Sequence, residues 1–361
     1  MTLAVPTVVQ MLSTDAYERG VERGLAIRET LADALRIYFE LFEVVGISPD
    51  AVRADALTSI AATERWSPAL VEEMRGTAEG AGVELWQIGA LNARTEILAA
   101  ASGAKPGECS TIVSTRADAV GAQTWDWHDE LSHCWHLQDV RGTPRSFVGL
   151  TEHGILGKIG MNDAGVGIMF NILGHQQDRA FGVPVHLVAA RVLAEAGTLA
   201  EAVAILSTAP VSTSSAITVV STDGAVIVEL SPQGAAVLEP QNGALLHTNH
   251  FLTERLGAGE KPGLYDPDSQ LRYAVLLERV AAAPLPTNAA ELIPYLVSQP
   301  GDEAQLCCVP APDAVFGDRW ATLATVTLDA AARAMTVAAG SPLDALSGEP
   351  LRLVAGDESV R

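Results

Sequence analysis

Cys109 lies in Gly107-Glu108-Cys109-Ser110-Thr111, where the loop Ser102-Gly103-Ala104-Lys105-Pro106-Gly107 runs into a strand-like stretch. A thiol at such a junction stands beside the peptide bond that precedes it and can attack that bond. If the bond breaks, the cysteine gains a free α-amine, whose reference pKa is about 7.7–8.0. One residue then carries both the nucleophile and its general base, and no histidine is required. The plainer reading of any one cysteine is a small buried hydrophobe, and composition alone favours it. That reading suits Cys134, Cys307 and Cys308. The adjacent pair 307–308 is a poor disulfide on geometric grounds, and so few cysteines make no stapled secreted scaffold.

Other chemical patterns are weaker. His128, His133, Cys134 and His136 are metal-type ligands, but their spacing fits no standard zinc pattern, so no metal is expected. Gly157-Lys158 looks like the end of a phosphate loop, but Ile159 stands where Ser or Thr is needed. Neither a dinucleotide fingerprint nor a G-x-S-x-G elbow is present, and no cofactor is expected.

The chain that must position Cys109 has 361 residues, 48% of them hydrophobic and 19% charged, a globular composition able to bury a large core. Its formal net charge of -21 repels nucleic acid and anionic lipid, which removes both as expected partners. The start, Met1 to Leu12, lacks the basic region of a secretory signal, and the uncharged stretch 202–222 is broken by Pro210. A soluble, cytoplasmic protein is expected.

Character changes near residue 108. Before it, helices dominate: 14–45, a helix opened by Ser48-Pro49, another opened by Ser67-Pro68, and 85–100, after an opening strand within 3–12. After it come strand-like runs at 110–114, 166–172, 216–221, 225–230, 244–248, 321–328 and 333–338. Helices are predicted over 183–196, after Thr198 with its Glu201 capping partner, over 268–283, and over 288–297. The long Gly- and Pro-rich stretch 253–267 reads as a loop. Strands, then helices, then strands again suit two stacked sheets with helices outside.

Several motifs, taken in order, identify a family resemblance. They are Asp15-Ala16-Tyr17-Glu18-Arg19-Gly20, Leu91-Asn92-Ala93-Arg94-Thr95-Glu96, Gly107 to Thr111 and Gln123-Thr124-Trp125-Asp126-Trp127. Further on come 154–162 with Asn171, then Leu246-His247-Thr248-Asn249-His250, then Asp318-Arg319-Trp320-Ala321-Thr322-Leu323. In this order and spacing they resemble the acyl-coenzyme A:6-aminopenicillanic acid acyltransferase family of cysteine N-terminal-nucleophile (Ntn) hydrolases, over nearly the whole chain.

The resemblance implies an α+β fold, a four-layer αββα sandwich spanning 1–361 as one domain. It also implies autocatalytic cleavage between Glu108 and Cys109 into an α segment, 1–108, and a β segment, 109–361. Cys109 matches the nucleophile and Asn249 the oxyanion-hole side chain. Asp126 matches an acidic residue suited to holding the new amine. Arg319 matches a family arginine that could pair with Asp126 or steady Cys109, the alternative being a surface arginine. Trp127 is a candidate for the acyl pocket and equally for the core, and His250 is a candidate substrate contact or a support for Asn249. Arg94 and Glu96 are expected to brace the junction of the two segments. Glu108 departs from the glycine common at that position. The expected partners are a small-molecule amide, the protein's own two chains and, for a transferase, an acyl-CoA; a homo-oligomer is left open. The expected activity is hydrolysis of N-acyl amides or N-acyl amino acids through an acyl-cysteine. The alternative is transfer of the acyl group, from a thioester or amide, to an amine such as a β-lactam nucleus.

Overall fold

A computed structural model describes residues 7–99, 101, 109–262, 264 and 268–357. Its first part is helical, as the apolar spacing predicts. After strand β1 (Val8–Met11) come α1 (Ala16–Val44), α2 (Pro49–Trp66), α3 (Pro68–Ala81), α4 (Leu85–Asn92) and α5 (Arg94–Ala99). Helix α1 buries Ile27, Leu31, Leu35, Tyr38 and Phe42 along one stripe. It lies unusually close to α3. A Cβ at Gly20, Gly24, Gly76 or Gly80 would collide with the facing helix's backbone, so this crossing needs glycine on both sides. Ser48 caps α2 by accepting from Ala51 N, whereas Ser67 makes no such bond before α3. The single helix predicted over 85–100 is two, broken at Ala93.

From Thr111 onward the chain builds two sheets. The strands are β2 (Thr111–Ser114), β3 (Val120–His128), β4 (Trp135–Val140), β5 (Phe147–Glu152), β6 (Ile159–Asn162) and β7 (Gly167–Ile172). After α6 (Val185–Glu195) and α7 (Leu199–Thr208) follow β8 (Ser215–Ser221), β9 (Gly224–Ser231), β10 (Gly234–Leu238) and β11 (Ala244–His247). Helices α8 (Glu254–Gly257) and α9 (Asp268–Ala282) precede β12 (Trp320–Asp329), β13 (Ala334–Ala339), α10 (Pro342–Ser347) and β14 (Leu351–Val354). The helix predicted over 288–297 is a 3-10 helix, Ala289–Leu296, whose Pro294 lacks the donor that an α-helix would use. The 253–267 stretch contains the short α8, where an unbroken loop was expected.

One sheet has eight strands in the order β1-β4-β5-β6-β7-β8-β9-β10, antiparallel throughout except for the parallel pair β1 and β4. The other has six antiparallel strands in the order β11-β2-β3-β12-β13-β14. Side chains alternate across each strand, so each sheet has an inner and an outer face. On the inner face, Gln123 and Thr111 bond to Phe170 O and to the Asn171 side chain of the eight-stranded sheet. On the outer face of the six-stranded sheet, Ile112, Ala122 and Leu246 form a second core with Leu276 of α9 and with Leu292 and Leu296. Helices α6 and α7 pack against the eight-stranded sheet. The layering is the αββα sandwich expected. Among the described residues, no helix is long and apolar enough to cross a membrane.

Candidate active site

The two neighbours of β2 fix what surrounds Cys109. Strand β2 pairs with β3 (Thr111↔Gln123) and with β11 (Thr111↔His247). A bond from Thr124 N to Ser110 O extends the first ladder past the strand's end. Continued two residues, these registers set Cys109 between Trp125 on one side and Asn249 on the other. The polar contacts agree. Cys109 N donates to Asn249 Oδ1 at 2.9 Å, and Cys109 O accepts from Asn171 Nδ2 at 2.8 Å and Arg272 Nη1 at 3.2 Å.

Asn249 is held from several sides. Its Oδ1 also accepts from Arg272 Nη2 at 3.0 Å, its Nδ2 donates to Ile172 O at 2.9 Å, and its backbone N donates to Ser269 Oγ at 2.7 Å. Below it, buried His247 lies 3.2 Å from Glu229, which also accepts from Leu252 N and from Thr253. These bonds make the turn after β11 rigid, which is what an electrostatic stabiliser needs.

The thiol of Cys109 is buried, and burial followed by the nearby Asp126 charge pushes it up to about 12. The Asp126 backbone N–H, Lys158 and Arg272 act in the opposite sense. The sulfur is therefore a protonated, weak nucleophile near neutral pH. Asp126 alternates with Trp125 and so belongs to the other face of β3. Its carboxylate accepts from Thr322 Oγ1 at 2.6 Å and lies 3.5 Å from Thr124 Oγ1.

A second charged cluster lies on the inner side. Glu152 at the end of β5 accepts from Tyr38 OH, from Arg94 Nε (3.1 Å) and Nη2 (2.5 Å), and from Lys158 Nζ (2.8 Å). Lys158 Nζ sits 3.7 Å from the Trp125 ring centre, and the Arg94 guanidinium 4.1 Å from that of Trp127. Burial alone would raise the Glu152 carboxyl, but Arg94 and Lys158 overcome it and hold it well below the usual range.

The candidate residues divide. Cys109, Asn249 and Asp126 come together. Arg319 does not join them: it is half exposed and pairs with Asp129 at 2.7 Å, and the arginine that reaches Cys109 is Arg272. Glu108 lies outside the described residues. Trp127 lines a cavity of about 20 Å³ with Leu98, Ile172, Asp178, Thr213 and Lys261. His250 bonds Thr248 Oγ1 and Ser269 Oγ, so it supports the Asn249 turn, and burial lowers it to about 4. Arg94 and Glu96 tie the N-terminal segment to later elements, Arg94 through Glu152 of β5 and Glu96 by accepting from Val185 N at the start of α6 and from Thr213 Oγ1 just before β8. Burial raises the Glu96 carboxyl to about 7. Cys307 and Cys308 are half-buried, where small core residues were expected, and Cys134 is buried. Among the described residues, no three His, Cys, Asp or Glu side chains converge as metal ligands.

Sequence reasoning missed Arg272, Glu152, Lys158 and Tyr38. Arg272 sits four residues after Asp268 on an amphipathic helix and reads as half of a surface ion pair. Nothing in the sequence brings together Tyr38, Arg94 and Glu152, which lie on three separate elements.

Comparison with known proteins finds relatives of this chain. A model of the family described as "Acyl-coenzyme A:6-aminopenicillanic acid acyl-transferase" matches residues 114–344, a span that begins just after Cys109 and includes Asp126, Asn249 and Arg319. The acyl-coenzyme A:6-aminopenicillanic-acid-acyltransferase 40 kDa form of Emericella nidulans is 33% identical over 198 residues. That alignment covers 52% of this chain and 53% of the relative, so the chain spans about half the length of the curated relative it matches. Among solved structures, penicillin V acylase from Agrobacterium tumefaciens aligns with a TM-score of 0.44 and 15% identity, over 68% of this chain and 86% of that one. A mutant conjugated bile acid hydrolase from Clostridium perfringens aligns at 0.42 and 13%, over 70% and 100%. With its matched span covering well over half its length, the chain belongs to the acyl-coenzyme A:6-aminopenicillanic acid acyl-transferase family.

Proposed function

We infer that this chain is an N-terminal-nucleophile amidohydrolase. It cuts itself between Glu108 and Cys109, then cleaves N-acyl amides or N-acyl amino acids through an acyl-cysteine. The observation that carries the reading is the seat of Cys109: a buried thiol at a strand's start, with its nitrogen on Asn249 and its carbonyl on Asn171 and Arg272.

Once cut, the nitrogen that now donates to Asn249 becomes an amine. It takes the thiol proton, and the thiolate attacks the substrate carbonyl. The oxyanion that develops beside Cys109 is stabilised by the Asn249 amide, and Arg272 fixes that amide's orientation. Asp126 steadies the amine when it carries the proton. The proton then goes to the leaving nitrogen, and water, activated by the same amine, releases the acid. A second reading, transfer of the acyl group to an amine such as a β-lactam nucleus, is favoured by the activity named for the Emericella relative. It differs only in what resolves the thioester.

Intact-mass analysis tests the first step. Wild type should give chains of 108 and 253 residues (361 − 108 = 253), and Cys109→Ala should stay whole. A panel of N-acyl amino acids, fatty amides and β-lactams then assigns the substrate. Full activity in an uncut wild-type chain would sink the mechanism.

A further inference from the structure

The first cut poses a problem that the later chemistry does not. Before it, Cys109 has no amine, and its nitrogen is an amide that donates to Asn249 Oδ1. The base proposed for substrate turnover does not yet exist, while burial holds the thiol in its protonated form. Some other group must take that proton.

Among the described residues, the charged side chains of Asp126, Lys158 and Arg272 act on the thiol. Arg272 keeps its proton at any working pH. Asp126 acts on the thiol as a negative charge that opposes its ionisation, and its carboxylate is engaged by Thr322 and Thr124. Lys158 is an amine on the inner side of the sheet, and its neutral form can accept a proton. Its Nζ lies over the Trp125 ring, and Trp125 falls opposite Cys109 when the β2–β3 register is continued two residues. The side chain is fixed by Glu152 at 2.8 Å and is almost fully buried.

We propose that Lys158 is the general base and acid of the self-cleavage step, distinct from the α-amine that serves substrate turnover. It rests on the autocleavage reading above. Lys158 Nζ accepts the Cys109 Sγ proton, and Sγ bonds to the carbonyl carbon of Glu108. The tetrahedral adduct collapses with loss of the carbon–nitrogen bond, and Lys158 returns the proton to the departing Cys109 nitrogen. The product is a thioester between Glu108 and Sγ. Water hydrolyses it, leaving the Glu108 carboxylate, the free thiol and the new amine. Burial supports this role, because it lowers the Lys158 ammonium to about 8 against the pull of Glu152. The other ionisable groups facing it are Arg94, Cys109 and His186, with Tyr38 bonded to the same Glu152. Buried His186 is held well below its usual value and stays neutral.

The test follows cutting itself. Precursor refolded by dilution into buffers from pH 6 to 9 is sampled for intact mass, with refolding confirmed by tryptophan fluorescence. Wild-type cleavage should accelerate with pH and level off near 8. Lys158→Arg keeps the positive charge but cannot release a proton, and should cut at least tenfold more slowly at pH 8. A Lys158→Arg rate within tenfold of wild type overturns the proposal, as does a wild-type rate that is flat from pH 6 to 9. If Lys158→Arg does not refold, the wild-type profile alone decides. Cys109→Ala separates the two readings: a wild type that stays as whole as Cys109→Ala refutes the autocleavage itself, whereas a cutting wild type with an unaffected Lys158→Arg refutes only the lysine.

Discussion

Replacing Glu152 with glutamine is the sharpest probe of how the N-terminal helices are held. The carboxylate is buried and accepts from Tyr38, Arg94 and Lys158. Glutamine keeps the size but removes the charge, so Arg94 and Lys158 face each other without a counter-ion. Breaking a buried pair by removing one partner costs about 3–5 kcal/mol. Lys158 escapes part of this by releasing its proton, since burial has already lowered it to about 8. Arg94 has no such exit. With a urea m-value of about 3 kcal/mol per M, that loss lowers the unfolding midpoint by about 1–1.7 M. The measurement belongs in a Cys109→Ala background, where one uncut chain unfolds. It should also depend on pH. The Glu152 carboxyl is depressed in the folded state, so its contribution is full above the unfolded carboxylate value of about 4.3 and fades as pH falls below it. The gap between parent and variant should thus be widest near neutrality and shrink below about pH 4. A Glu152→Gln loss under about 1 kcal/mol at pH 7 would refute the claim that this cluster binds the two segments.

Two further outcomes are expected. Asn249→Ala should lose about 10²–10³ of turnover, as removal of one preorganised oxyanion donor does; steady-state kinetics on cleaved chains that match wild type would remove Asn249 from the mechanism. Glu96 behaves oppositely to Glu152: its folded value is raised to about 7, so the wild-type protein loses stability as pH climbs from about 4.3 through 7. Glu96→Gln retains an acceptor for Val185 N and Thr213 and has no such penalty, so its midpoint relative to wild type should improve between pH 5 and 8; a constant difference would show that Glu96 is not destabilised by ionising.

What could be read from the sequence follows from which forces act locally. Helix α1, strands β7 to β9 and the change of character near Cys109 all rest on periodicity or capping and emerge close to their observed limits. The break at Ala93 does not, because Arg94 and Glu96 are drawn to opposite partners, Glu152 on one side and Val185 with Thr213 on the other. The split around Arg319 and Arg272 has the same origin. Asp318-Arg319-Trp320 carries the family pattern, yet a neighbouring Asp129 captures the guanidinium at the surface. Arg272 reaches Cys109 only because α9 packs under the six-stranded sheet, a fact of tertiary geometry with no local signature.

The placement of β1 has a consequence for any cut chain. This strand is the edge of the eight-stranded sheet, parallel to β4, and it precedes Cys109 by about a hundred residues of sequence. Arg23 on α1 reaches Gln138 on β4 at 2.7 Å, and Arg94 reaches Glu152. A nick at Cys109 would therefore turn one molecule's interior into a subunit interface of the obligate kind, with a domain core on either side of it. Stripped of its partner, the larger fragment would bare the β4 backbone as an open edge and leave Glu152 without Arg94, an aggregation-prone half. The smaller fragment would act as a lifelong intramolecular chaperone, retained as a permanent subunit rather than shed as a leader. The two halves should co-purify at any dilution that leaves the protein folded.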